Sequence, residues 1–212
     1  MPDACDNMTA ADTSSHPPLI IAKGKTMKKT NLVKKLMLAA VMFPLAAQAA
    51  QAAEMASFGE PPKDFKIDYQ TEQNGMIMVE LVPQKQTVDN WTKMITLQSM
   101  AGAKPGVERF RADMASLWQN ACPKGNFDTV REGEENGYPF VLWLMACENN
   151  PQTNKSEFTW VKAIQGNDGL YVKQYAFRYA PNKAEVFEAI NQLRNFTVCD
   201  NSAKHPCSKS GK

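Results

Sequence analysis

Histidine, cysteine and paired carboxylates are the side chains in this chain whose types and spacing could do chemistry. Histidine comes first because its unperturbed pKa lies nearest neutrality. The chain has two. His16 precedes a leader-like stretch, and His205 stands in a polar C-terminal segment with no packed frame to orient it toward a nucleophile, as a Ser-His-Asp or Cys-His site requires. His205 therefore reads as a solvated tail residue. Cys199, His205 and Cys207 carry groups that zinc favours, but their spacing matches no common zinc pattern and a closed site needs a fourth ligand. Glu132, Glu134 and Glu135 could offer carboxylates to calcium, yet around Gly133 they read better as a solvated loop. The sequence contains no GxSxG, HExxH, Walker or dinucleotide-binding glycine pattern. No catalytic residue, metal ligand or cofactor is assigned. Carboxylate-based hydrolysis needs two acids set apart in a cleft, which sequence spacing neither shows nor excludes.

The remaining chemistry is that of recognition. Phe158 and Trp160 share one face of a predicted strand, and Tyr171, Tyr175, Phe177 and Tyr179 share a face of the next, interrupted by Lys173. A sheet needs a buried face, so packing under helices is the first expectation. The sharper one is that Trp160 with Tyr171 or Tyr175 lines a groove for an apolar ligand or a partner, since amphipathic aromatics give contact area at low entropy cost.

These residues must be placed in a compartment and a fold. Met27 to Ala53 reads as a secretory signal peptide: a basic region with Lys28, Lys29, Lys34 and Lys35, an apolar run from Leu36 to Leu45 too short to span a bilayer, and small-residue cleavage sites ending at Ala49 and Ala52. Residues 1–26 read as an overextended start, with translation expected from Met27. Six of the 24 Lys and Arg but only three of the 22 Asp and Glu precede Glu54, so the remainder has a net charge of −1. A near-neutral domain lacks the clustered cations that nucleic acid or an anionic membrane demands. Contact with a membrane is expected only during export. At 43% hydrophobic and 22% charged residues, the chain can build a core.

The exported part holds Cys122, Cys147, Cys199 and Cys207. An even number in an oxidising compartment suggests two disulfides in one of three connectivities. The preferred pairing joins Cys122 to Cys147 and Cys199 to Cys207.

Residues 54–62 read as a linker and 63–199 as one domain. Phe65, Ile67 and Tyr69 alternate with polar residues as a half-buried strand, Asn74-Gly75 signals a hairpin, and Met76 to Val82 return to a stop at Pro83. Thr87 reads as an N-cap, with Val88, Trp91, Met94 and Ile95 at helical spacing, so 88–100 is predicted helical even though β-branched Thr92, Ile95 and Thr96 weaken it. Val107, Phe110, Met114, Leu117, Trp118 and Ala121 form the stripe of a second helix, stopped by Pro123 and Gly125. Four strands separated by turns follow between Phe127 and Tyr179, an antiparallel meander. Asn182 and Glu185 then read as the capping box of a last helix, with Val186, Phe187, Ile190, Leu193 and Phe196 on its buried face. Residues 200–212 read as a polar tail.

The predicted order is ββααββββα, an α+β layered sandwich with an antiparallel sheet of about six strands packed against helices. Over most of residues 63–198 this order resembles the PsbP/Mog1-like fold, found in small exported or lumenal proteins that act as binding or assembly factors. Separately, Glu80-Leu81-Val82-Pro83 followed by Asn90-Trp91-Thr92-Lys93-Met94-Ile95-Thr96 is similar to a family of small proteobacterial periplasmic proteins, which brings no activity with it. The expectation is an exported periplasmic binding or protein-interaction module without catalysis. Its partner would be a protein or a small apolar ligand of the cell envelope. The alternatives are a cell-envelope hydrolase using carboxylates and a carrier of a small apolar ligand.

Overall fold

A computed structural model describes residues 53–200 and 202–207. The expected extension at 1–26, the leader up to Ala52 with both cleavage sites, Cys5 and His16 lie outside the described residues. The elements in order are β1 (Met55–Ser57), β2 (Phe65–Gln73), β3 (Met76–Pro83), β4 (Lys93–Ala101), α1 (Val107–Ala121), β5 (Asn126–Glu135), β6 (Tyr138–Asn150), β7 (Lys155–Gln165), β8 (Gly169–Phe177), α2 (Lys183–Arg194) and β9 (Thr197–Cys199). Seven strands form one sheet in the order β2-β3-β4-β8-β7-β6-β5, and β1 pairs with β9 in a second. Every pairing is antiparallel. The fold is α+β, as expected, with one more strand in the main sheet than predicted.

The extra strand is β4, where a helix was predicted. Trp91 and Val88 belong to a loop in which Thr87 bridges Asn90 instead of capping a helix. From Lys93 onward Met94, Thr96, Gln98 and Met100 alternate with Ile95, Leu97 and Ser99, a strand period. This strand joins the N-terminal hairpin to the meander, pairing Ile95 with Leu81 on one side and with Tyr175 on the other. A helix here would have left the edges of both β3 and β8 unpaired, and the β-branched residues lose less freedom in a sheet. The helical spacing arose from joining loop residues that pack at the strand's start, where Trp91 is buried with Val82, Met94 and Ala176.

Local chemistry explains the other elements. Asn74 and Gly75 adopt φ of 52° and 76°, and Asn136 and Gly137 repeat those values at the β5–β6 turn, the left-handed pair that a two-residue hairpin needs. Glu132 to Glu135, predicted as loop, thus extend β5. In α2 the Asn182 side chain accepts from the Ala184 and Glu185 amides and the Glu185 carboxylate accepts from the Asn182 amide. This completes the capping box.

The two helices cover opposite faces. Helix α1 sets Val107 and Trp118 on Val141, Trp143, Val161 and Val172, with Phe110 and Met114 packed beside them. Helix α2 sets Ala189 and Leu193 on Leu142, Trp160, Tyr175 and Phe177. Leu193 is fully buried, and truncating such a leucine to alanine typically costs about 2–5 kcal/mol. Phe187, predicted on the buried face, is 65% exposed. Two residues before Ala189 it lies about 160° round the helix, on the flank facing away from the core.

Disulfides join Cys122 to Cys147 and Cys199 to Cys207. The first ties the end of α1 to β6. Two segments expected to lie outside the domain, as linker and polar tail, are docked on it. Met55–Ser57, within the expected linker, pairs with β9, and Phe58 stacks on Phe196 at 4.9 Å. In the expected tail, His205 is buried and stacks on Tyr138 at 4.3 Å, with its Nδ1 2.9 Å from the Asn136 carbonyl oxygen.

Candidate functional site

Helix α2 lies over β7 and β8, and on the β5 side a cleft of about 200 Å³ opens between the helix and the sheet. Its floor is apolar. Phe140 and Leu142 rise from β6, while Ile190 and Leu193 descend from α2. At the bottom stands Lys162, register partner of Leu142. Its side chain is only 4% exposed. The ammonium donates to the Glu135 carboxylate and, at 2.7 Å, to the Phe196 carbonyl oxygen. It also lies 5.3 and 5.6 Å from the rings of Phe140 and Phe196. Burial pushes the Lys162 pKa down, and the hydrogen bond and charge of Glu135 oppose that shift.

A bulge shapes the outer wall. Thr129 pairs with Trp143 and Arg131 with Leu142, so Val130 is the extra residue and Arg131 takes the register position on the cleft face. Bulges commonly re-aim a side chain in this way. Arg131 lies over the Phe140 ring at 5.9 Å. Arg131 and Arg194, at opposite rims, have no ion-pair partner among the described residues, and neither does Glu134.

A second lysine lies directly across from Lys162. Lys173, its β8 register partner, is 1% exposed and donates to the Phe58 carbonyl oxygen at 2.6 Å and to Gln192 Oε1 at 3.0 Å. Burial, with the like charge of Lys162, pushes its pKa down to about 8. Buried lysines of lowered pKa can serve as nucleophiles. Lys173, however, is closed off beneath Phe58 and Gln192, and Glu135 favours the charged form of Lys162. What the cleft offers is a fixed cation beside an apolar floor.

The three aromatics singled out from sequence lie under cover. Trp160 and Tyr175 are register partners beneath α2, 7% and 0% exposed, and the Tyr175 hydroxyl donates to Glu188 at 3.4 Å. Tyr171, 7% exposed, packs with Tyr138, Ile164 and Phe196 in a separate cluster. Burial and the neighbouring Glu54 carboxylate push its phenol up to about 12. Trp160 supports the cleft from behind, in the cluster that holds Leu142 and Leu193. The residue that sequence reasoning missed is Lys162. Its signal was a lysine inside the otherwise apolar run Trp160 to Ile164, matched by Lys173 inside Leu170 to Phe177.

Two carboxyls, Glu80 and Glu157, are pushed up by burial. They share a sheet face but lie three strands and four register positions apart, roughly 20 Å. The carboxyl pairs of glycoside hydrolases are about 5–9.5 Å apart.

A protein-family model matches residues 62–199, from three residues before β2 to the end of β9. The chain belongs to that family. The match takes in the seven-stranded sheet, both helices and every residue named as lining the cleft. Among solved structures the chain is similar to a point mutant of the protein Mog1, at 13% identity and TM-score 0.38 over 63% of this chain and 80% of that one. It is also similar to the Saccharomyces cerevisiae Ran-binding protein Mog1p, at 11% identity and TM-score 0.39 over 68% of this chain and 88% of the other. A third is LpqN, involved in cell envelope biogenesis of Mycobacterium tuberculosis, at 9% identity and TM-score 0.35 over 71% of this chain and 87% of the other. At TM-scores this low the likenesses decide nothing about site or partner. No curated protein matches the chain.

Proposed function

We propose that this chain is an exported periplasmic binding or protein-interaction module that works through the cleft between α2 and β5. The observation that carries the reading is a polar group where packing alone would place an apolar one. Lys162 is held charged at the base of an open apolar cleft by a carboxylate and a backbone carbonyl, an arrangement that costs desolvation and is retained where it orients a ligand or specifies a fold. The leader-like segment and the two disulfides support export. The volume bears on the choice of partner. At about 200 Å³ the cleft falls below the ~300–1,000 Å³ of small-molecule pockets, which favours one or two side chains of a protein over an engulfed apolar ligand. Trp160 and Tyr175 would act from the second layer, by setting the height of α2.

Site-specific photocross-linking tests this. A benzophenone amino acid at Ile190 or Val130 should give discrete adducts in periplasmic extracts, whereas the same group at Leu117, exposed on α1, should not. Adducts of equal yield from all three positions, or none from the cleft, would remove the proposal.

A further inference from the structure

We infer that the cleft docks a polypeptide segment presenting a carboxylate beside an apolar side chain. This rests on the binding reading above and specifies its partner. Glu135 and Lys162 neutralise each other, leaving Arg131 and Arg194 against the single carboxylate of Glu134, so the mouth is net positive. Guanidinium groups on opposite rims of an apolar floor suit a carboxylate that arrives with an apolar neighbour, because the planar fork binds carboxylate oxygens bidentately.

Two further features favour an extended polypeptide over a free organic acid. β5 is an edge strand of the sheet, so a segment lying along it can add backbone hydrogen bonds while alternate side chains enter the cleft. The outer rim also carries exposed apolar surface at Val130, 50% exposed, giving a contact longer than one buried group. The bulge that puts Arg131 on the cleft face also interrupts the edge, which discourages indiscriminate strand addition and makes the charge contact part of the selection.

The test pans a displayed random-peptide library on the disulfide-bonded protein. Recovered peptides should share Asp, Glu or a terminal carboxylate next to Leu, Ile or Phe. Their affinity should fall on the order of tenfold with Arg131→Glu/Arg194→Glu and hold with Lys104→Glu, an exposed position before α1. Both arginines are exposed, and an unchanged urea midpoint verifies folding of the variants. Peptides without an acid, binding indifferent to the double reversal, or no enrichment at all would overturn the inference. Ile190→Asp separates the two readings. Peptides that lose binding there but ignore the arginines leave the cleft as a docking site and remove only the acidic requirement. Peptides indifferent to Ile190→Asp remove the cleft itself.

Discussion

Replacing Lys173 by methionine removes a buried ammonium while keeping an unbranched side chain, and the pH dependence of folding should change with it. The Lys173 pKa is pushed down from 10.5 to about 8 by burial and by the charge of Lys162. A lysine whose pKa is lower in the folded than in the unfolded chain leaves the unfolded chain holding more protons between those values. Stability therefore rises with pH across that window. Integrating the linkage relation from pH 7 to 10 gives on the order of 2–3 kcal/mol gained by the wild type and not by Lys173→Met. Lys162 is present in both proteins, and because the two ammonium groups repel each other the difference reports the titration of the pair. Above pH 10 the buried phenols of Tyr138 and Tyr175 and the half-buried one of Tyr179, all pushed up, reverse the trend. A raised folded pKa means the unfolded chain ionises first, and stability is lost as pH climbs. The assay is urea unfolding at pH 7, 8, 9 and 10 with both disulfides intact. Its readout is the difference between the two stability curves, because at any single pH the variant also loses hydrogen bonds to Phe58 and Gln192. Parallel curves would refute the reasoning and place the Lys173 ammonium in water.

The disulfides should rank by the chain they close. With separations of 25 and 8 residues, the chain-entropy relation gives about 3.5 kcal/mol lost in Cys122→Ala/Cys147→Ala and about 2.5 in Cys199→Ala/Cys207→Ala, read from non-reducing urea melts. Gly137→Ala should cost more than Gly75→Ala, by about 1–2 kcal/mol. Both sit at φ of 76°, but a Cβ at Gly137 would meet the His205 ring at 2.7 Å, whereas at Gly75 the nearest atom is 3.6 Å away; equal losses would mean that His205 is not docked. Asn182→Ala removes both acceptor bonds of the α2 cap and should cost about 1 kcal/mol. Because α2 roofs the cleft, the same variant should weaken peptide binding in a fluorescence titration.

Features set by neighbours in sequence were legible. The Asn74-Gly75 hairpin, the α2 capping box, the stripe of α1 except Leu117, which turns out to solvent, and the β5-to-β8 meander all depend on contacts within a few residues or on short turns. What sequence patterns did not show depends on partners far along the chain. β4 carries residues that fit either period, and the unpaired edges of β3 and β8 decided between them. Its β-branched residues were the available hint. The docking of His205 needs Asn136 and Tyr138, and the strand character of Met55–Ser57 needs β9. The aromatic residues read as sharing strand faces come together on one face of the sheet, yet its cover depends on where α2 comes to rest. The cleft formed elsewhere, around a lysine whose partner Glu135 had been read as loop.

The pairing of β1 with β9 imposes an order of events. These strands stand at opposite ends of the described domain, and the aromatic cluster they complete, with Phe58 on Phe196, draws on both. Closing so large a loop is the costliest step entropically and is rewarded only once its contacts form. In a chain delivered N-terminus first, from a ribosome or through an export channel, the hairpins and α1 can assemble early. The N-terminal strand must wait until Thr197 to Cys199 have emerged, and the Cys199–Cys207 bond can form only after that. The Cys199–Cys207 bond therefore marks delivery of the whole described domain, and a chain stalled before Thr197 would keep its aromatic end open to chaperones and proteases.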